Sequence, residues 1–126
     1  MAFHVVSADE LEWEEYEHYP GRFRAALSEA AGLRHTRANL IRQRPGAAGP
    51  RHAERTQDET FVPVRGTLTM YVGEPPERYE VTVGGLVHVE AGTPLQIVNE
   101  TDEEIVVFVC GAPPERTGAD MFDSAV

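Results

Sequence analysis

From Thr60 onward the chain predicts an all-β fold, a small antiparallel sandwich or barrel, and three observations carry that reading. Short runs rich in Val, Ile, Thr and aromatic residues follow one another. Glycine, proline and asparagine turn signals separate them at close, regular spacing. No long helical pattern interrupts them, which favours strands closing on one another over helices crossing a parallel sheet.

In order along the chain, the first seventeen residues set Asp9, Glu10, Glu12, Glu14, Glu15 and Glu17 around Leu11, Trp13 and Tyr16. Ser7 with Glu10 three residues on fits a capped helical turn, and the Leu-Glu-Trp alternation fits a strand equally well. Tyr19-Pro20-Gly21 reads as a turn, Arg22 to Leu27 as a short strand, and Ser28 to Gly32 as a small loop or turn. Leu33 to Arg44 reads as a strand running into Pro45-Gly46. The later strands are Phe61–Val64, Thr67–Val72, Tyr79–Val83, Leu86–Val89, Leu95–Val98 and Ile105–Cys110. Gly66, Gly73 to Pro76, Gly84-Gly85, Ala91 to Pro94 and Asn99 to Asp102 punctuate them. The tail after Pro113-Pro114 is polar and rich in small residues, so it is expected to be mobile or to dock on a partner. No repeat and no linker divides the chain. The expectation is one domain over 1–126, with a barrel core at about 33–112, an N-terminal segment 1–32 and a tail 113–126.

Composition narrows the function classes. The 126 residues carry a formal charge of −10, and all eleven basic residues are arginine. A domain this acidic repels phosphate backbones, so nucleic acid is not an expected partner. Without lysine it cannot form a side-chain Schiff base. The one cysteine, Cys110, excludes an internal disulfide and a four-cysteine zinc site; it ends an apolar strand and is expected to be a buried small hydrophobe. No apolar run approaches the ~20 residues that span a bilayer, and the N-terminus lacks a basic region before any apolar stretch. A cytoplasmic protein without membrane contact is expected. No phosphate-cradling glycine loop, nucleophile elbow or His-Glu-x-x-His helix is present.

One segment concentrates chemistry. Between Gly46 and Gly66 lie His52, Glu54 and Glu59, an imidazole and two carboxylates within eight residues. On an extended segment His52 and Glu54 project from one face, and Glu59 must return past a short turn to join them. Imidazole nitrogen and carboxylate oxygen are ligands that Zn, Mn and Fe(II) accept. His88 alternates with Val87 and Val89 and is expected to face outward or into an interface. His4, His18 and His35 lie outside any ligand spacing. One of Met70 and Tyr71 must face the interior, and Gln96 must point away from Leu95.

These residues resemble the cupin superfamily, the small double-stranded β-helix (jelly-roll) barrels. Gly46, His52, Glu54, Glu59 and Gly66 stand in register on the first cupin motif, with Glu54 where a second histidine belongs. Gly84, Glu90, Gly92, Leu95 and Asn99 stand on the second motif, with Glu90 in place of proline and Leu95 in place of histidine. The resemblance covers roughly residues 40 to 112. It implies a double-stranded β-helix, a small-molecule ligand, a homodimer in which the N-terminal segment takes part, and a divalent metal ion (Mn, Fe, Ni or Zn) in the barrel. His52, Glu54 and Glu59 are the ligands that carry over, a harder and more negative set than the usual three histidines and one glutamate. Against this stands a decayed site in which Glu54 or Glu59 pairs with Arg42, Arg44 or Arg55. Three functions follow. The first is a small-molecule-binding cupin of unassigned activity with a partial His/Glu cluster. The second is a metal-dependent isomerase or dioxygenase type enzyme using His52, Glu54 and Glu59. The third is a metal-free sugar-epimerase-like enzyme, for which His52 could be the base but no tyrosine is evidently opposed to it.

Overall fold

A computed structural model describes residues 2–126. After a 3-10 turn at Ala8–Glu10 the elements are β1 (Glu14–Glu15), β2 (Arg22–Ala26), α1 (Leu27–Ala31), β3 (Arg37–Gln43), β4 (Arg51–Glu54) and β5 (Asp58–Arg65). They continue as β6 (Leu68–Val72), β7 (Glu77–Val81), β8 (Val87–Val89), β9 (Leu95–Ile97), β10 (Ile105–Ala112) and β11 (Ala119–Phe122). Two sheets face each other, one ordered β1-β2-β3-β10-β5-β8 and the other β11-β4-β9-β6-β7. Neighbouring strands pair antiparallel in both. This is the all-β double-stranded β-helix that the strand pattern and the motif resemblance imply. Among the described residues no helix is long and apolar enough to cross a membrane.

Alternation builds the interior. Ile105, Val107 and Val109 of β10 are buried, while Val106, Phe108 and Cys110 between them are half-buried on the outer face. Cys110 is therefore not the buried residue expected from its strand; it lies on the outward phase of β10, two residues before its end. Phe61, Leu68, Met70, Leu95 and Ile97 complete the core from the other strands, each such burial stabilising by about 1.5–3 kcal/mol. Met70 takes the interior and leaves Tyr71 outside, hydrogen-bonded to Glu100. His88 is exposed and meets the Thr60 hydroxyl at 2.9 Å from Nδ1.

Two motif positions are structural. Gly66 has φ +74°, and a Cβ there would lie 2.9 Å from Ile105 Cγ2, so the turn before β6 admits only glycine. Asn99 is fully buried; its amide donates to the carbonyls of Gln43 and Glu103, and its Oδ1 accepts from the Thr101 backbone and hydroxyl.

Three local expectations differ from the structure. Ser28 to Gly32 is more than a small loop or turn: Ser28 to Ala31 lie in α1 and Gly32 caps its end, and the helix is held to β3 because Ser28 Oγ accepts from Ala38 N–H at 2.7 Å. The Ser7 side chain caps nothing, and the N-terminal acidic stretch resolves into a 3-10 turn and the two-residue β1. The tail docks on its own chain as β11, along the edge of β4.

Candidate functional site

Strand phase brings the cluster together. His52 and Glu54 are two apart on β4, and the Arg55–Gln57 turn carries the chain into β5, where Glu59 faces the same interior. One ligand atom from each of the three lies within 4.8 Å of the others. Glu54 and Glu59 are buried and His52 is nearly so.

Each donor has a defined surrounding. His52 Nδ1 lies 3.2 Å from the Pro50 carbonyl, which can only accept, so Nδ1 carries the proton and donates it. That turns Nε2 into the cluster, 3.4 Å from Glu54 Oε1. In neutral histidine two lone pairs would then face each other, an arrangement that favours a proton or a cation between them. Burial opposes charging of His52, but the bond to Glu54, with Pro50 and the nearby Glu59, lifts its pKa above the ordinary value. Arg37 Nη2 donates to Glu54 Oε1 at 3.2 Å. The partner of Glu54 is thus Arg37, not Arg42, Arg44 or Arg55. Arg42 is sandwiched between Trp13 and Phe23, Arg44 lies over Phe23, and Arg55 pairs with Asp120. Glu59 is pushed up to about 7, first by burial and then by the charge of Glu54. Its Oε1 is buried and has no hydrogen-bond partner. An orphaned carboxylate oxygen is costly unless a proton or a cation completes it. This donor set fits a divalent ion, with one imidazole nitrogen and two carboxylates convergent on one point.

The cluster forms one wall of a cavity of about 230 Å3 that opens between the sheets. Ile41, Phe61, Leu95, Ile97 and Val109 give it an apolar floor, and Tyr16, Arg22, Arg37 and Asn39 add polar groups. Leu95 pairs with His52 across β4 and β9, on the cluster's face, so the position where the motif has histidine contributes only hydrocarbon. Gln96 points the other way, as alternation requires, and ties the tail through Ser124 and Ala125. A wider groove of about 590 Å3 between the N-terminal segment and α1 shares no residue with the cluster. Rimmed by Glu10, Glu12, Glu14 and Glu29, it lacks the convergent donors that mark a site.

Several lining residues escape a reading by motif. Tyr16 and Arg22 come from the acidic N-terminal stretch and β2, and no spacing ties them to His52. Arg37 and Asn39 had a usable signal, since they share strand phase with buried Ile41. Ala119 and Met121 arrive with β11, in register with Glu54 and His52.

Residues 39–111, more than half the chain, match the family model of the cupin domain. A sugar phosphate isomerase of the cupin superfamily from Silicibacter pomeroyi superposes with a TM-score of 0.81 at 28% identity, over 95% of this chain and 82% of its own. A putative sugar phosphate isomerase from Acidithiobacillus ferrooxidans gives 0.70 at 25% identity, over 86% and 74%. The polyketide cyclase RemF from Streptomyces resistomycificus gives 0.80 at 17% identity, over 96% and 87%, a likeness of fold. No functionally curated protein matches the chain.

Proposed function

Because this chain belongs to the cupin family, we propose that its barrel mouth binds a small oxygen-bearing molecule beside one divalent metal ion held by His52, Glu54 and Glu59. The observation that carries this reading is the convergence of three ligand atoms within 4.8 Å, one carboxylate among them having a buried oxygen without a partner. Such an ion would supply Lewis-acid polarisation of a ligand oxygen. The chain's own groups do the rest. Pro50 fixes the His52 ring, Arg37 fixes Glu54, and the apolar floor gives the ligand a hydrocarbon surface to pack on. Arg22, Asn39 and Tyr16 offer the donors that orient a bound oxygen atom.

Among activities, an isomerase type is favoured over a dioxygenase type. One histidine with two carboxylates is a poorer oxygen-activating set than two histidines with one, and the Silicibacter pomeroyi likeness at 28% identity is to a sugar phosphate isomerase. A second reading rests on a separate observation: Tyr16 lines the same cavity as His52 and Glu59, so a metal-free isomerase would have a base and an acid in one pocket.

Elemental analysis of undialysed protein, beside a His52→Ala/Glu59→Ala variant, separates the two. The metal reading expects near-stoichiometric Mn, Fe, Ni or Zn in the wild type and its loss in the variant. Equal background metal in both would overturn it and leave the proton-transfer reading.

A further inference from the structure

The cavity holds a charge that the cluster does not account for. Arg22 is 93% buried, being 7% exposed, yet among the described residues no carboxylate lies within 4.0 Å of its guanidinium. A buried arginine without an anion is unusual, because desolvating a charge is costly unless a partner restores its field.

Its surroundings hold it in place without neutralising it. Nε donates to Gln43 Oε1 at 2.9 Å, and Gln43 is itself fixed because its amide donates to the Ala47 carbonyl at 2.9 Å. The guanidinium carbon sits 4.4 Å from the centre of the Tyr16 ring. Gly49 makes the third side: a Cβ there would come within 2.8 Å of Nε and 3.0 Å of the guanidinium carbon. Gly49 lies against Nη2 as well, at 3.3 Å from that Cβ position, yet among the described residues neither terminal nitrogen meets a carboxylate, and the side chain lines the cavity shared with Glu59 and His52. Burial holds the guanidinium below its ordinary pKa, more than Tyr16, Tyr19 and Glu59 restore, though an arginine stays charged at any working pH.

We propose that Arg22 is the anion-recognising residue of this pocket, and that the ligand is a small molecule bearing a carboxylate or phosphoryl oxyanion whose other end reaches the His52/Glu54/Glu59 wall. The inference rests on reading this mouth as the ligand pocket, and it does not require the metal. A guanidinium presents paired N–H donors that match an oxyanion's two oxygens. About 230 Å3 is roughly eight water volumes, room within the cavity for a short-chain acid or a small phosphate ester.

The test is a calorimetric titration of chelator-treated protein with lactate, inorganic phosphate and propane-1,2-diol, the last being lactate's neutral analogue. The wild type is expected to bind at least one of the two anions about tenfold or more tightly than the diol. Whichever anion is preferred identifies the oxyanion as carboxylate or phosphoryl. Arg22→Met should abolish the preference and Arg22→Lys should retain part of it. Equal affinity for anion and diol, binding of neither anion, or a preference that survives in Arg22→Met would overturn the assignment. If Arg22→Met fails to fold, the wild-type comparison of anion with diol still decides. Because the protein is metal-free in every arm, loss of the metal reading leaves this result unaffected, and its own failure leaves the metal reading standing.

Discussion

Glu59 is the residue on which the chemistry of the cluster turns. It is buried beside a second carboxylate, and its pKa rises to about 7 from burial first and the charge of Glu54 second. The folded state therefore holds this proton more tightly than the unfolded chain does. The stability it contributes is complete below the unfolded value near 4.5 and is lost as pH rises through about 7. His52, also raised, acts with the same sign. Glu100 and Glu115, whose carboxylates are held below their usual range by hydrogen bonds, act only at more acid pH. Chelator-treated protein should then lose on the order of 2 kcal/mol between about pH 5 and about pH 8 in urea unfolding, and Glu59→Gln should remove most of that slope. An equal slope in the variant would mean that Glu59 is not the titrating group. Leu95 supplies the complementary prediction. It faces His52 across the sheet and offers no ligand atom, so Leu95→His should raise zinc affinity about tenfold or more in chelator competition. Unchanged affinity would mean that the fourth position does not converge with the other three.

At the scale of elements, the turn between β4 and β5 sets the spacing of Glu54 and Glu59, and the tail sets the turn. Glu115 accepts from Thr56 N–H at 2.6 Å, from the Thr56 hydroxyl at 2.9 Å and from Gln57 N–H at 3.3 Å. Gln57, fully buried, accepts in return from Glu115 N–H at 3.0 Å. Two residues further on, Thr117 donates both its N–H and its hydroxyl to the same carboxylate. The tail is thus fastened to the turn before β11 adds its ladder to β4. Glu115→Ala should lower the melting temperature and weaken metal binding about tenfold, the usual scale for groups that position ligands without touching the ion. A variant that melts lower but binds metal as the wild type does would show that the tail stabilises the fold without setting the site.

The whole molecule couples the site to stability. His52 and Glu54 sit on one sheet and Glu59 on the other, so an ion held by all three would bridge the two sheets. Zinc at about 100-fold above its Kd should raise the melting temperature by about 10 °C, and the His52→Ala/Glu59→Ala variant should show no such rise. An equal rise in both would place the ion elsewhere on this acidic surface, where a formal charge of −10 attracts cations without a built site.

The sequence by itself determined the β architecture, the strands from β5 to β10 and the cluster. Alternation with period two is a local property, and it placed His52 with Glu54, one of Met70 and Tyr71 inside and Gln96 away from Leu95, while the structure decided for Met70. Its limits were local as well. Cys110 and Val109 read alike as apolar ends of a strand, and only pairing with β3 and β5 decides which of them faces in. The partner of Glu54 required the crossing of β3 past β4, which brought Arg37 to it rather than the arginines nearer in sequence. Arg22 reaches the cavity because β2 pairs with β3, Tyr16 because its N–H donates to the Arg22 carbonyl, and Met121 because β11 pairs with β4. Those contacts join residues far apart in the chain through hydrogen-bonded ladders. Strand register is fixed by the burial of whole faces, so no spacing within a single motif carries that information.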